Sequence, residues 1–172
     1  MTIQAESPDD AALEASVRAV LDGIGMTYTW MPCDPDFADT AAFCEHYDVS
    51  PDISANTIVV ASRRGPQLYC ACVVLATRRL DVNNTVRRLM GAPKASFASA
   101  EETIAVTGMR IGGVAPFGLP ESLPLYVDAA VMQRDEVITG AGSRNAKVRI
   151  PPQALLRLPN TRVIEGLAAT RT

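Results

Sequence analysis

Residues 107–118 read TGMRIGGVAPFG, with Gly108, Gly112 and Gly113 inside six positions and Pro116 and Gly118 directly after. Glycine reaches backbone dihedrals that side chains forbid, and it lets another chain or a ligand approach the main chain closely. Pro116 fixes its own φ and pushes Ala115 toward an extended conformation. A shaped, stiff loop is expected, with N–H groups suited to a carboxyl, a phosphate or a developing oxyanion. On glycine content alone, a tight turn between two strands is the plainer reading.

Downstream of the loop, Leu125-Tyr126-Val127 predicts a short strand that delivers Asp128 to its end. Further strands are expected near 136–140 and 146–150, then a terminal helix around 153–158 after Pro151-Pro152. Upstream, Ser99 and Glu102 have capping-box spacing and start a helix, and Asp81 caps another that Gly91 closes. Residues 58–62 and 68–77 predict strands, the second of them central. Cys70 and Cys72 would share one face of it as small core hydrophobes. At the start of the chain, Ser7-Pro8-Asp9-Asp10 opens a helix whose Leu13, Val17, Val20, Leu21 and Ile24 form one buried stripe. A strand over 26–31 and a short helix over 40–47 follow it. There is no internal repeat and no linker, so a single α/β domain over residues 1–172 is expected.

At 172 residues the chain can bury about two-thirds of its unfolded surface. Its 48% apolar and 20% charged content is ordinary for a globular protein. No apolar run approaches the ~18 residues needed to cross a bilayer. The first ten residues, MTIQAESPDD, are unlike a secretory signal, so a cytoplasmic place and no membrane partner are expected. Cys33 and Cys44 lack ligand spacing and the single His46 cannot complete a zinc set, so no metal or other cofactor is called for. Net charge is −3, but residues 1–52 hold eleven acids against one base, Arg18. The basic remainder is compatible with an anionic partner, and equally with an ordinary solvated surface.

Three local patterns then stand in order: Asn56-Thr57-Ile58, the 107–118 loop, and Gly140-Ala141-Gly142-Ser143-Arg144. With Asp128 after the loop and Leu80-Asp81-Val82-Asn83 at a helix entry, they resemble the YbaK/EbsC family over about residues 11–158. These are stand-alone relatives of the editing domain inserted in prolyl-tRNA synthetases. The resemblance implies a mixed, partly barrel-like β-sheet flanked by helices. It also implies hydrolysis of the ester that joins a wrong amino acid to the 3′ end of tRNA, without an acyl-enzyme. The partner so implied is the aminoacyl-tRNA 3′ end, with an aminoacyl-tRNA synthetase as a second candidate; oligomeric state stays open.

Carried onto this sequence, the resemblance implies Asn56, Gly113 and Asp128 as the catalytic set. Cys33, Thr57, Gly112, Ala115, Pro116, Gly118, Gly140, Gly142 and Ser143 would bind substrate. Preorganised backbone amides suit that task, one such donor being worth about 3 kcal/mol to a transition state. Asp128 could orient a water or hold the substrate's ammonium, or simply bond local backbone.

Asn56 departs from the family, which has lysine there. An amide donates hydrogen bonds but brings no charge, and charged bonds are roughly twice as strong. Arg144 and Lys147 are the candidate replacement cations, unless both are plain surface residues. A Cys33 nucleophile would need a neighbour that lowers its pKa, and none is evident in sequence. Three readings follow: a deacylase acting in trans, a catalytically silent binding module, and an esterase for small esters. The last lacks a GxSxG elbow.

Overall fold

The computed structural model describes residues 8–171, so the expected Ser7 cap lies outside the described residues. In chain order, α1 (Pro8–Ile24) is followed by β1 (Thr29–Pro32) and, after a 3-10 turn at Pro35–Phe37, by α2 (Thr40–His46). Then come β2 (Ala55–Ser62), β3 (Tyr69–Leu75), β4 (Arg78–Leu80), α3 (Arg87–Met90), β5 (Ala95–Phe97) and α4 (Ala100–Thr107). After the glycine loop stand β6 (Leu125–Asp128), β7 (Val137–Gly140), β8 (Ala146–Ile150), β9 (Thr161–Ile164) and β10 (Ala168–Thr170).

The largest sheet runs β5-β2-β3-β6-β9, with β3 in the middle. β2 and β3 pair antiparallel, whereas β6 lies parallel to both β3 and β9, so the sheet is mixed. A second sheet, β1-β8-β7, meets the first at a parallel bridge between Ser54 and Ile138. There the Ile138 amide donates to Ile53 O at 2.8 Å. The barrel-like expectation reduces to this junction: the strands do not close into a barrel.

Period-2 alternation sorts the side chains of β3 onto two cores. Ala71, Val73 and Leu75 join Val17 and Leu21 of α1 and Phe117 of the glycine loop in one cluster. Cys70 and Cys72 point the other way, to Val82, Val86 and Leu167, as reduced, buried thiols. Burying an aliphatic side chain such as Leu21 contributes about 2 kcal/mol, which is what holds α1 to the sheet.

Several elements differ from expectation. The segment 153–158 is wound as a 3-10 helix, Pro152–Arg157, and β1 begins at Thr29. The segment after Asp81 begins as a π-wound stretch, Val82–Val86, and becomes α-helical only at Arg87. β4, β9 and β10 have no counterpart in the sequence reading. At α4 the capping box is complete: the Glu102 amide donates to Ser99 Oγ and the Ser99 amide to Glu102 Oε1, both at 3.1 Å. No helix among the described residues is long and apolar enough to cross a membrane.

Candidate functional site

A cleft of about 280 Å3 opens where the first half of β2, the N-terminal end of α2 and the glycine loop converge. Larger hollows lie elsewhere, among them one of about 450 Å3 beside Tyr69 and Leu89, one of about 660 Å3 beside Phe97 and one of about 440 Å3 beside Phe37 and His46. The smaller cleft is the one that gathers Asn56, Thr57, Gly112, Gly140 and Lys147.

Asn56 is placed by β2 and fixed by α2. Thr40 Oγ1, in the first turn of α2, donates to Asn56 Oδ1 at 2.7 Å. That leaves the two Nδ2 hydrogens as the free donors of this amide. Thr57 Oγ1 is buried and has no hydrogen-bond partner.

Lys147 reaches the same cleft from β8. The β7–β8 register sets it opposite Gly140. It is 8% exposed, and its Nζ donates to Ala38 O at 2.7 Å and Gly112 O at 3.0 Å. An ammonium has three hydrogens, so one donor remains after these two bonds. Burial lowers its pKa below the ordinary lysine value, partly opposed by Cys33 and Asp39. The ammonium also lies 5.5 Å from the Phe43 ring centroid.

The glycine loop is stiff because much of its backbone is paired internally. The Gly113 amide donates to Arg110 O at 2.9 Å, and Ala115 N–H meets Met109 Sδ at 3.2 Å. Arg110 N–H donates to Gly142 O and Gly142 N–H to Gly113 O, tying the loop to residues 140–145. Gly112 and Val114 both line the cleft, and their amides have no acceptor among the described residues. The two loops touch through their backbones. A Cβ on Gly113 would fall 2.1 Å from Ser143 O, and one on Gly140 would fall 2.3 Å from Val114 O. Gly112 has φ +85, and a Cβ there would meet Arg144 Nη1 at 2.1 Å.

Arg144 is a strut in this arrangement. It donates to Pro35 O, Ile111 O and Asp39 Oδ1, joining the 34–39 loop to the glycine loop. Of the two cations that sequence left open, Lys147 lines the cleft and Arg144 is not among its lining residues.

The remaining expected residues lie outside the cleft lining. Ala115 is fully buried, Pro116 follows it in the loop, and Gly118 packs on Val17 of α1. Gly142 also packs against α1, and Ser143 donates through Oγ to Glu14 Oε1 at 2.7 Å. These positions hold the loops in place. Cys33 is buried with Phe43 and Ile138, its Sγ donating to Asp34 O at 3.2 Å. Burial pushes its pKa up, against the pull of Lys147, which is the wrong direction for a thiolate nucleophile.

Asp128, expected beside the pocket, sits at the end of β6 with 1% of its surface exposed. Arg78 Nε donates to its Oδ2 at 2.7 Å and the Ala168 amide to its Oδ1 at 3.3 Å. Both oxygens serve to join β6, β4 and β10. No group of three or more His, Cys, Asp or Glu that could hold a metal occurs among the described residues.

A family model described as "Aminoacyl-tRNA editing domain" matches residues 34–158. Among curated proteins, "Uncharacterized protein YwhH" of Bacillus subtilis is 31% identical over 83 residues, 48% of this chain and 53% of that one. "Putative Cys-tRNA(Pro)/Cys-tRNA(Cys) deacylase EbsC" of Enterococcus faecalis is 26% identical over 108 residues, 63% of each chain. The match therefore spans between about half and two-thirds of these relatives' own length. The crystal structure of hypothetical protein APE2540 superposes with a TM-score of 0.78 at 26% identity, covering 89% of this chain and 99% of that one. That of "a putative trans-editing enzyme for prolyl tRNA synthetase" gives 0.74 at 23%, covering 98% and 100%, and bears on the fold alone.

Proposed function

The chain belongs to the aminoacyl-tRNA editing domain family, and from that premise we propose that it is a deacylase acting in trans on mischarged tRNA. The terminal ribose and its aminoacyl ester occupy the cleft beside Asn56. Water adds to the ester carbonyl carbon, the acyl carbon–oxygen bond breaks, and the products are a free ribose hydroxyl and an amino acid.

The observation that carries this reading is the position of Lys147. Where the family lysine is replaced by Asn56, a second lysine enters the same cleft with one N–H unengaged. As the carbonyl oxygen gathers negative charge, the Lys147 charge and Asn56 Nδ2 favour the transition state over the neutral ester. The unpaired amides of Gly112 and Val114 supply further donors. Because burial keeps bulk water from Lys147, its charge is screened less than at a surface. Asp39, the carboxylate in the cleft lining, is paired with Arg144 at 2.9 Å, so the proton of the attacking water passes to solvent or to a substrate oxygen. On this reading Gly113 and Asp128 support the site without touching the reacting atoms.

The whole chain is one editing domain on this account, with a cytoplasmic place following from a tRNA substrate. A second reading, a silent module that binds the same RNA end without turnover, is favoured by Asn56 alone. The test is a panel of mischarged tRNAs incubated with purified protein. Ester loss that falls about 100-fold in Lys147→Met supports the deacylase. Binding with protection of the ester supports the silent module.

A further inference from the structure

The hollow of about 660 Å3 on the far side of β5 belongs to no part of the chemistry above. It is lined by Arg79 of β4, Asn83 at the start of the π-wound segment, Phe97 of β5, and Thr170 and Arg171 at the end of the chain. Phe97 is 54% exposed, an unusual setting for an aromatic ring in a chain of only 5% aromatic content. Its backbone is not loose. Phe97 pairs with Val60 across the β2–β5 ladder, and Arg63 Nη2 donates to Phe97 O at 3.0 Å. Arg63 is itself held by Glu102 at 2.9 Å. The ring is thus presented on a fixed strand.

Charge adds a second observation. Arg79 and Arg171 are exposed, and neither has a carboxylate partner among the described residues. Asp81 is the sole acid in the lining, and its Oδ2 accepts from Thr85 Oγ1 at 2.9 Å and Thr85 N at 3.4 Å. Continuity with the cleft is the third. Ala98, the next residue after Phe97, lines the cleft that holds Asn56 and Lys147. The two hollows therefore have lining residues that are neighbours in the chain, at the end of the edge strand β5.

An exposed ring flanked by unpaired guanidinium groups is the chemistry that takes single-stranded nucleic acid. Bases stack on the ring whatever their sequence, and phosphates meet the cations. We propose that this hollow holds the single-stranded RNA segment leading into the cleft, with Phe97 as the stacking platform and Arg79 and Arg171 on its phosphates. The inference rests on the cleft receiving an RNA terminus.

The test uses the full chain and a fluorescein-labelled RNA hairpin with a single-stranded CCA end carrying no amino acid, so that binding is read without turnover. Phe97→Ala is expected to weaken binding about tenfold or more, and Phe97→Trp to stay within about twofold of the parent. Arg79→Gln and Arg171→Gln should each weaken it several-fold and flatten the dependence of log Kd on log salt by about 0.7. Leu156→Ala, which alters an equally exposed apolar residue on the Pro152–Arg157 turn, should change nothing. Unaltered affinity in Phe97→Ala and in both arginine variants overturns the proposal. So does a blunt-ended hairpin that binds as tightly, or a parent chain that binds neither RNA, which would leave a protein as the occupant. Deacylation of mischarged tRNA is measured in parallel. Lost RNA binding in the variants of a parent without turnover fails the deacylase and keeps this inference. Turnover with indifferent variants does the reverse.

Discussion

Lys147 lines the cleft, whereas Asp128, expected beside it, does not. Asp128 stands after the glycine loop, yet its carboxylate is enclosed by Arg78 and the Ala168 amide. Asp128→Asn should lower stability by about 3 kcal/mol, since it leaves a partly buried guanidinium without its charge partner. Thermal unfolding would show the loss, while the deacylation rate of the folded fraction should hold. Lys147 should show itself in the pH profile. Its pKa is lowered, chiefly by burial, so a rate that needs the ammonium falls as pH rises through a value below 10.5. The stability sign is the opposite. Between that lowered value and 10.5 the unfolded chain binds the extra proton, so stability contributed by this group rises with pH. Asn56, Thr57, Gly112 and Gly140 could be picked out in sequence because each sits in a contiguous pattern. Lys147 could not be separated from Arg144, because Lys147 is placed by the pairing of β8 with β7 and Arg144 by its bonds to Pro35, Asp39 and Ile111, neither of which is local in sequence.

At the scale of elements, the two glycine-containing loops act as one unit, joined by backbone bonds that no side chain can replace. Gly113→Ala or Gly140→Ala would press a methyl into the backbone of the opposing loop, so each should lower the melting temperature as well as activity. Gly23→Ala, inside α1 with nothing within 4 Å, should raise stability by about 0.5–1 kcal/mol. The capping box at α4 predicts acid sensitivity. The Arg63 hydrogen bond, then the Ser99 amide, bring the Glu102 pKa from 4.5 to about 2. That contribution is complete above 4.5 and is lost as pH falls toward 2. Acid unfolding of Glu102→Gln should lack this component. Elements with their own start signals, such as Ser99 with Glu102, are legible in sequence. β4 and β10 are not, because each is three residues long and is a strand only through the other. β9 is likewise defined by lying alongside β6, and two of its four residues are exposed.

Across the whole molecule, the acid-rich start of the chain is answered internally. Asp10 pairs with Arg110 at 2.8 Å and Asp39 with Arg144 at 2.9 Å, so α1 and the α2 entry are attached to the two loops. Part of the charge asymmetry seen in sequence is therefore fold complementarity, and part, at Arg79 and Arg171, remains open to an anionic partner. The fold class was legible because strand and helix periods and the family patterns agree along the chain. The interior of the cleft was not, since it is assembled from β2, α2, β8 and a loop that lie far apart in sequence. The central claim is that Lys147 supplies the charge that Asn56 lacks. The direct measurement is single-turnover hydrolysis of a mischarged tRNA by the parent, Lys147→Met and Lys147→Arg. The account predicts turnover by the parent, about 100-fold slower hydrolysis in Lys147→Met with RNA binding kept, and partial recovery in Lys147→Arg. Equal rates in the parent and Lys147→Met would contradict it.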